Sequence, residues 1–519
     1  MDRLKQTLKD SAAMRWLVLV LISMLTFSTY WFQDFYSGLK GLMESQMGFS
    51  SEEFGRMIGL TTIANMFGMI IVGGMILDKW KIRIAGLVFG GMATLGGAIS
   101  ALAASGVFGE SHRTILAMMI VGRIFFGIGL EVVCVVAIRT IVKWFKGYEL
   151  ALAMAINMGF GRLGSALGIA VSIDIAKGSV PPAVNFAATL IALALLIFLI
   201  YLIFDVKIDK QIKEQAKGVK EEEFKFSDLF KLLKDPSFIY IALLCVSFYA
   251  AVFPFMQYAP DLLVNKFGFA YDLPAKGGSI YLFGSAALGN ASIYLALFIF
   301  GVGFSLGPSN IKSRNGKTIF LVILIILFVS FIFLLRRTLG IWLHNGPKTA
   351  SLLPLGTILF TPIFGNFVDK KGRAASLMIL GSLLLIFAHL SLSLFNSPLL
   401  AYIGLLSLGI AFSLVPAAMW PSVAKIVPES RQGTAYATMF TFQNWGLFFF
   451  FRGIGKVLDL TNRANLETIR AGNAKYNYTI PILMLVGCGI IAIFLAFKLK
   501  QADRRQKYGL ELPSGVKPQ

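Results

Sequence analysis

Apolar residues in this chain come in long runs separated by short polar stretches, with no sustained two-residue alternation. Crossing the hydrocarbon core of a bilayer takes about 20 apolar residues in helical form. Runs of that kind fall near 16–36, 54–77, 84–104, 115–142, 149–175, 183–204, 237–259, 279–307, 318–335, 350–368, 374–395, 399–423, 434–456 and 478–498. Each predicts a helix, because backbone in lipid must satisfy its own hydrogen bonds. The pattern therefore predicts an all-α polytopic membrane protein with fourteen spans and both termini on one side. The longest polar stretch, Asp205–Asp235, mixes Lys with Glu and holds one amphipathic patch at Phe224–Leu233. It reads as a solvated linker. The predicted organisation is a six-helix bundle over 1–204, a cytoplasmic linker over 205–236, and a second six-helix bundle over 237–519 that contains an inserted helical hairpin at about 278–335.

The polar stretches also predict an orientation. About 31 of the 48 Lys and Arg residues lie in the termini and in the loops on their side, against about 11 in the opposite loops. Positive residues stay inside, so both termini are expected in the cytoplasm. This distribution accounts for the net charge of +21 without a basic soluble face, so no nucleic-acid partner is expected. The composition agrees: 56% hydrophobic and only 14% charged residues, with a mean hydropathy of +0.74. The partner implied by the whole surface is the lipid bilayer. Met1–Arg15 leads straight into a full-length span with no small-residue cleavage site and no acidic dileucine signal, and a bacterial-type inner membrane is the expected location.

Several kinds of chemistry are excluded. Cys134, Cys245 and Cys488 are an odd set inside apolar runs, which argues against disulfides and metal. His112, His344 and His389 lack ligand spacing. No G-x-x-x-x-G-K-[ST] loop is present, and no Ser/His/Asp or paired-carboxylate set can be assembled. No cofactor and no enzymatic activity are expected.

Against that background two charges stand out. Glu131 and Arg162 each lie near the middle of an apolar run, where a charge costs about 2.5–3.5 kcal/mol on the translocon scale. At 1.5 Å per residue, Glu131 lies roughly 16 Å and Arg162 roughly 20 Å from the same membrane face. An arginine fork suits a carboxylate and a glutamate suits an ammonium. The two can pair directly in the empty protein and part around a small zwitterion, or form a purely structural ion pair. Glu131 can also take a proton, which leaves symport and uniport open.

The two halves of the chain echo each other. Gly74-Met-Ile-Leu-Asp78-Lys79-Trp-Lys-Ile-Arg83 follows the second span, and Gly365-Asn-Phe-Val-Asp369-Lys370-Lys371-Gly372-Arg373 recurs in the second half. In each, the Asp ends a helix, the basic residues hold the turn inside, and the Gly is expected to admit a neighbouring helix. Gly161-Arg162-Leu-Gly164 is echoed by Gln443-Asn444-Trp445-Gly446. Parallel six-span repeats mark major facilitator transporters, which alternate access by rocking one bundle against the other. Gly161/Gly164/Gly168 and Gly446/Gly453/Gly455 suit close helix contact, and Pro254, Pro416 and Pro421 permit bending. Arg123 opens an R-x-x-x-G-x-G pattern similar to one shared across that superfamily, where it is tied to helix positioning or coupling.

A narrower resemblance rests on longer motifs. Gly127-Ile-Gly-Leu-Glu131, Trp144-Phe-Lys-Gly147-Tyr-Glu149-Leu150, Arg162-Leu-Gly164-Ser165, Tyr249-Ala-Ala-Val-Phe-Pro254-Phe255, Lys266-Phe-Gly-Phe269, Trp420-Pro421, Gly433-Thr-Ala-Tyr436 and Gln443-Asn444 resemble the lysosomal dipeptide transporter family of the major facilitator superfamily. The resemblance spans about 16–270 and 349–498 and omits the hairpin. It implies that Glu131 meets the ammonium of a dipeptide and Arg162 its carboxylate, and that Asp34 corresponds to an acid near the outer end of the first span. Tyr30, Asp34, Tyr249, Trp420 and Asn444 complete the candidate substrate-binding set. Arg139 and Arg452 depart from the family pattern and point to acidic side chains or organic anions. The rival readings are an organic-anion or drug carrier and a non-transporting membrane scaffold or sensor. Nothing in the sequence names a protein partner.

Overall fold

A computed structural model describes residues 8–213, 226–428, 431–513 and 516. Among these there is no β-strand, only two isolated bridges. The first group of helices is α1 (Ala12–Asp34), α2 (Lys40–Met47), α3 (Ser51–Gly59), α4 (Ile63–Met66), α5 (Met69–Ala104), α6 (His112–Phe145), α7 (Leu150–Ala176) and α8 (Val180–Lys213). After the short α9 (Phe226–Leu232), the second group is α10 (Pro236–Phe267), α11 (Ala286–Asn310), α12 (Arg314–Leu343), α13 (Gly346–Ala350), α14 (Leu352–Lys371), α15 (Ala374–Leu394), α16 (Pro398–Ile426), α17 (Gln432–Thr461), α18 (Leu466–Arg470) and α19 (Thr479–Gln506). Positions 214–225 of the expected linker lie outside the described residues.

Among the described residues, twelve helical stretches are long and apolar enough to cross a membrane, against the fourteen spans read from the sequence. The run at 54–77 is not one unbroken helix. A 3-10 turn at Leu60–Thr62 interrupts it, and Gly68, with φ of +80°, starts α5 anew. The run at 434–456 is the continuous α17, whose Gln443, Asn444, Arg452, Lys456 and Asp459 dilute its apolar character. One side of each packs against the other, while Phe67 and Phe449 stay exposed. Gly55 and Gly455 let α3 and α17 cross at backbone distance, since a Cβ on either would come within 2.3 Å and 2.0 Å of carbonyl oxygens of Phe451 and Ser51, respectively.

Helix ends near the termini gather on one face. Arg15 pairs with Glu149 at 3.1 Å, and the Ser237 hydroxyl bonds Gln506. We call this the terminal face and its opposite the far face. At the far face, ion pairs and hydrogen bonds tie the two groups of helices together. Lys40 pairs with Asp261 at 2.9 Å, and Tyr478 also donates to that carboxylate. Lys348 pairs with Asp174 at 2.5 Å. Arg452 pairs with Glu52 at 2.7 Å in a half-exposed position. The Asp459 carboxylate accepts from the backbone N–H groups of Ser51 and Glu52 at the start of α3, where the helix dipole favours an anion.

The inserted hairpin, α11 and α12, covers 286–343, which sits further along the chain than the expected 278–335. No residue in the most apolar stretch of α12 is buried. Helix α11 instead touches both groups. Asn290, fully buried, donates to Asp174 at 2.9 Å, while Tyr294 shares a 2.6 Å hydrogen bond with Ser351 and Phe298 packs edge-on against Phe160. The insertion therefore sits over the seam between α7 and α14.

Candidate functional site

A cavity of about 280 Å³ lies at mid-depth between the two groups of helices. Glu131, from α6, and Arg162, from α7, both line it. The sequence folds this way locally because α7 presents glycines to α1. A Cβ on Gly164 would come within 2.2 Å of the Phe27 carbonyl oxygen, and one on Gly168 within 2.8 Å of that of Trp31. The close α1–α7 contact leaves the neighbouring Arg162 free to turn toward the cavity.

The two charges do not pair with each other, nor does either form an ion pair with another described residue. The expectation of a direct contact in the empty protein is thus corrected. Arg162 reaches across instead, its guanidinium carbon 4.5 Å from the centroid of the Phe412 ring. Its Nη1 is buried without a hydrogen-bond partner. An aromatic face offsets part of a cation's desolvation but supplies no acceptor. Around these charges the first group adds Thr26, Tyr30, Cys134 and Asn157. Asn157 Oδ1 is already taken by the hydroxyls of Ser23 (3.0 Å) and Thr26 (3.1 Å).

The opposite wall is aromatic. Trp420 stacks on Phe440 at 4.7 Å, and Tyr249 on Phe253 at 5.4 Å. Trp420 Nε1 donates to the Tyr249 hydroxyl at 3.0 Å, which joins the two stacks. Gln443 completes the wall and accepts weakly from the Cys245 thiol at 3.6 Å. Lining residues toward the terminal face are exposed, with Ile138 at 48% and Met158 at 59%. The far side is shut by the seam, so the cavity opens toward the terminal face.

Five of the seven expected binding residues line the cavity: Tyr30, Glu131, Arg162, Tyr249 and Trp420. Two do not. Asp34 is buried at the junction of α1, α7 and α10, where its carboxylate accepts from Ser165 and from Gln257 Nε2 at 2.7 Å. With both oxygens engaged, it joins helices rather than facing a vestibule. Asn444 donates to the Phe440 carbonyl of its own helix at 2.9 Å, and its neighbour Gln443 faces the cavity instead. Arg139 and Arg452 are also absent from the lining. The sequence reading passed over Thr26, Cys134, Asn157, Phe253 and Phe440. Thr26, Cys134 and Phe253 lie three or four residues from Tyr30, Glu131 and Tyr249 on the same helices, and that spacing is the signal that finds them, whereas Asn157 and Phe440 have no cavity-lining candidate at that spacing.

The motif residues have other work. Arg123 is fully buried and donates to the Phe32 carbonyl at 2.9 Å, which fixes the end of α1 against α6. The side chains of Asp78 and Lys79, and the surroundings of Gly74, lie outside what is described. Arg83, at the end of that motif, bridges Asp205 and Asp209. In the second copy, a Cβ on Gly365 would meet nothing within 4 Å, so the close helix approach expected there is corrected. Lys370 is exposed at the end of α14. Asp369 precedes it, and Arg373 closes the turn with φ of +62° while its N–H donates to Glu511 of the C-terminal tail at 3.1 Å.

Comparison with known proteins gives this architecture a place. The family model described as Major Facilitator Superfamily matches residues 22–353. The lysosomal dipeptide transporter MFSD1 of Danio rerio is 26% identical over 515 residues, 97% of this chain and 90% of the relative. The Homo sapiens protein of the same name is 24% identical over 88% of this chain and 82% of its own length. Among solved structures, the nucleoside transporter NupG is similar with a TM-score of 0.56 at 13% identity, covering 93% of this chain and 99% of that one. The xylose transporter XylE from E. coli, in a partially occluded inward-open conformation, gives 0.58 at 13% over 94% and 98%. A bacterial homologue of the human lysosomal transporter Spinster, inward-facing and occupied, gives 0.58 at 11% over 95% and 98%. This multi-pass membrane protein, all helical and built around a mid-depth cavity, belongs to the Major Facilitator Superfamily.

Proposed function

We propose that this transporter carries dipeptides or closely similar small zwitterions by alternating access, with Glu131 holding the ammonium and Arg162 the carboxylate. The observation that carries the reading is that opposite charges line one cavity without an ion-pair partner among the described residues. A lone desolvated charge is costly. A ligand bearing both signs relieves both at once, and the arginine fork offers two parallel hydrogen bonds to its carboxylate. The relatives named as dipeptide transporters support the same choice of substrate. An organic-anion carrier in which Arg139 and Arg452 act together with Arg162 is disfavoured, because Arg162 lines the cavity and the other two do not.

In this reading residues 1–204 and 237–519 act as two bundles that rock about the site, joined by the segment 205–236. Closure at the far face and access from the terminal face make the present state inward-facing if both termini lie in the cytoplasm, as the excess of positive charge favours. Proton symport and uniport differ through Glu131, and uptake measured with and without an imposed pH gradient separates them.

Binding is tested by thermal unfolding of the purified protein over a dipeptide library. A ligand that binds only the folded state raises the midpoint by mass action, about 2.7 kcal/mol of stabilisation at a hundredfold excess over Kd. Zwitterionic dipeptides should raise it, and the same peptides acetylated at the amino end or amidated at the carboxyl end should not. A non-transporting scaffold or sensor without a ligand would give no shift with any member of the library.

A further inference from the structure

The cavity divides its labour by wall. Both formal charges come from the first group of helices, on α6 and α7, whereas the second group contributes Tyr249, Phe253, Trp420, Phe440 and the neutral Gln443. The polar atoms of the aromatic wall are largely spoken for. The Trp420 N–H is given to the Tyr249 hydroxyl, and the Gln443 carbonyl oxygen faces the Cys245 thiol. What the wall presents to a ligand is ring surface.

A zwitterion gripped at both ends by Glu131 and Arg162 has its charged termini on one side of the cavity. Its side chains must then turn toward the other wall or toward the open terminal face. We propose, resting on the dipeptide reading above, that the joined Trp420/Phe440 and Tyr249/Phe253 stacks are a side-chain subsite selecting apolar and aromatic side chains, with Trp420 the determining residue. A charged side chain turned to this wall leaves water and finds no counter-charge, which is unfavourable in a desolvated pocket. An aromatic side chain gains ring contacts as well as buried area. The cavity volume of about 280 Å³ lies at the small end for ligand sites, so the wall is within reach of any ligand held by both charges.

The test is competition for uptake into vesicles reconstituted with the full chain, using labelled Ala-Ala and four competitors that differ only in one side chain: Ala-Ala, Ala-Phe, Ala-Glu and Ala-Lys. The expected order has Ala-Phe about 10-fold better than Ala-Ala, with Ala-Glu and Ala-Lys weaker than Ala-Ala. Trp420→Ala should erase the advantage of Ala-Phe, and Trp420→Phe should restore most of it. Gln443→Glu, which places an anion in the same wall, should improve Ala-Lys relative to Ala-Glu. Thermal unfolding of each variant reports whether it folds, and the Gln443→Glu comparison stands even if Trp420→Ala does not. Equal competition by all four dipeptides, or side-chain preferences untouched by both the Trp420 and Gln443 variants, overturns the subsite while leaving the two-ended grip standing. Absence of competition by any dipeptide sinks the substrate reading itself.

Discussion

The far-face seam and the central cavity both hold charges in a buried setting, and they treat them oppositely. At the seam Lys40 has Asp261, with Tyr478 as a further donor, and Lys348 has Asp174, with Asn290 as a further donor. In the cavity, among the described residues, Glu131 and Arg162 form no ion pair, and the Arg162 guanidinium lies over the face of Phe412. Breaking a buried pair strands a charge and is strongly destabilising. Neutralising a charge that is already stranded removes a cost. The lesson is that partnering separates the two regions: charges at the seam are satisfied, and those in the cavity are, under the proposed function, left for a ligand.

The largest expected effect comes from breaking the seam. Lys348→Met leaves Asp174 buried with Asn290 alone and should cost the closed far face about 3–5 kcal/mol. Ser37 is fully buried at that face. A Ser37→Cys reporter should therefore react faster with a membrane-impermeant maleimide added from the far side when Lys348→Met is also present. Unchanged labelling would mean that the pair does not hold the seam.

Next in size, Glu131→Gln and Arg162→Gln should each weaken dipeptide binding by about 10- to 100-fold, the worth of a hydrogen bond to a charged group. Their unfolding midpoints without ligand should stay at or above the parent value. A marked fall in midpoint would place these residues with the seam charges, as structural groups.

Asn290→Ala is a smaller perturbation. Asp174 keeps Lys348 but loses one donor, a loss of about 1 kcal/mol, and the Ser37→Cys reporter should label slightly faster. The same change tests whether the insertion stabilises the closed seam, since Asn290 is contributed by α11. Smallest of all, Glu52→Gln removes a half-exposed partner of Arg452, and at about 0.2–1 kcal/mol should leave both labelling and midpoint nearly unchanged.

The two regions were unequally legible in the sequence. Glu131 and Arg162 could be found because a charge inside an apolar run is rare and costly, and depth follows from counting residues along a helix. Direction around the helix is harder to read. Gln443 and Asn444 differ by about 100° of rotation, and only packing against α10 and α16 decides which faces the cavity. Asp34 was misplaced for a related reason: its partners, Ser165 and Gln257, come from remote parts of the chain. The seam was not legible at all, since pairs such as Lys40 with Asp261 and Lys348 with Asp174 join residues far apart in sequence. The helical class was plain from hydropathy. The break near Leu60 and Gly68 was not, because Thr61, Thr62 and Asn65 are too few polar residues to end the apolar run around them.

The central claim is that unpaired opposite charges in one cavity grip the two ends of one molecule. Its most direct measurement is uptake of labelled Ala-Ala by reconstituted vesicles in the presence of excess N-acetylated or C-amidated Ala-Ala. The account predicts that free Ala-Ala competes and that neither capped form does. Full competition by either capped form would contradict it.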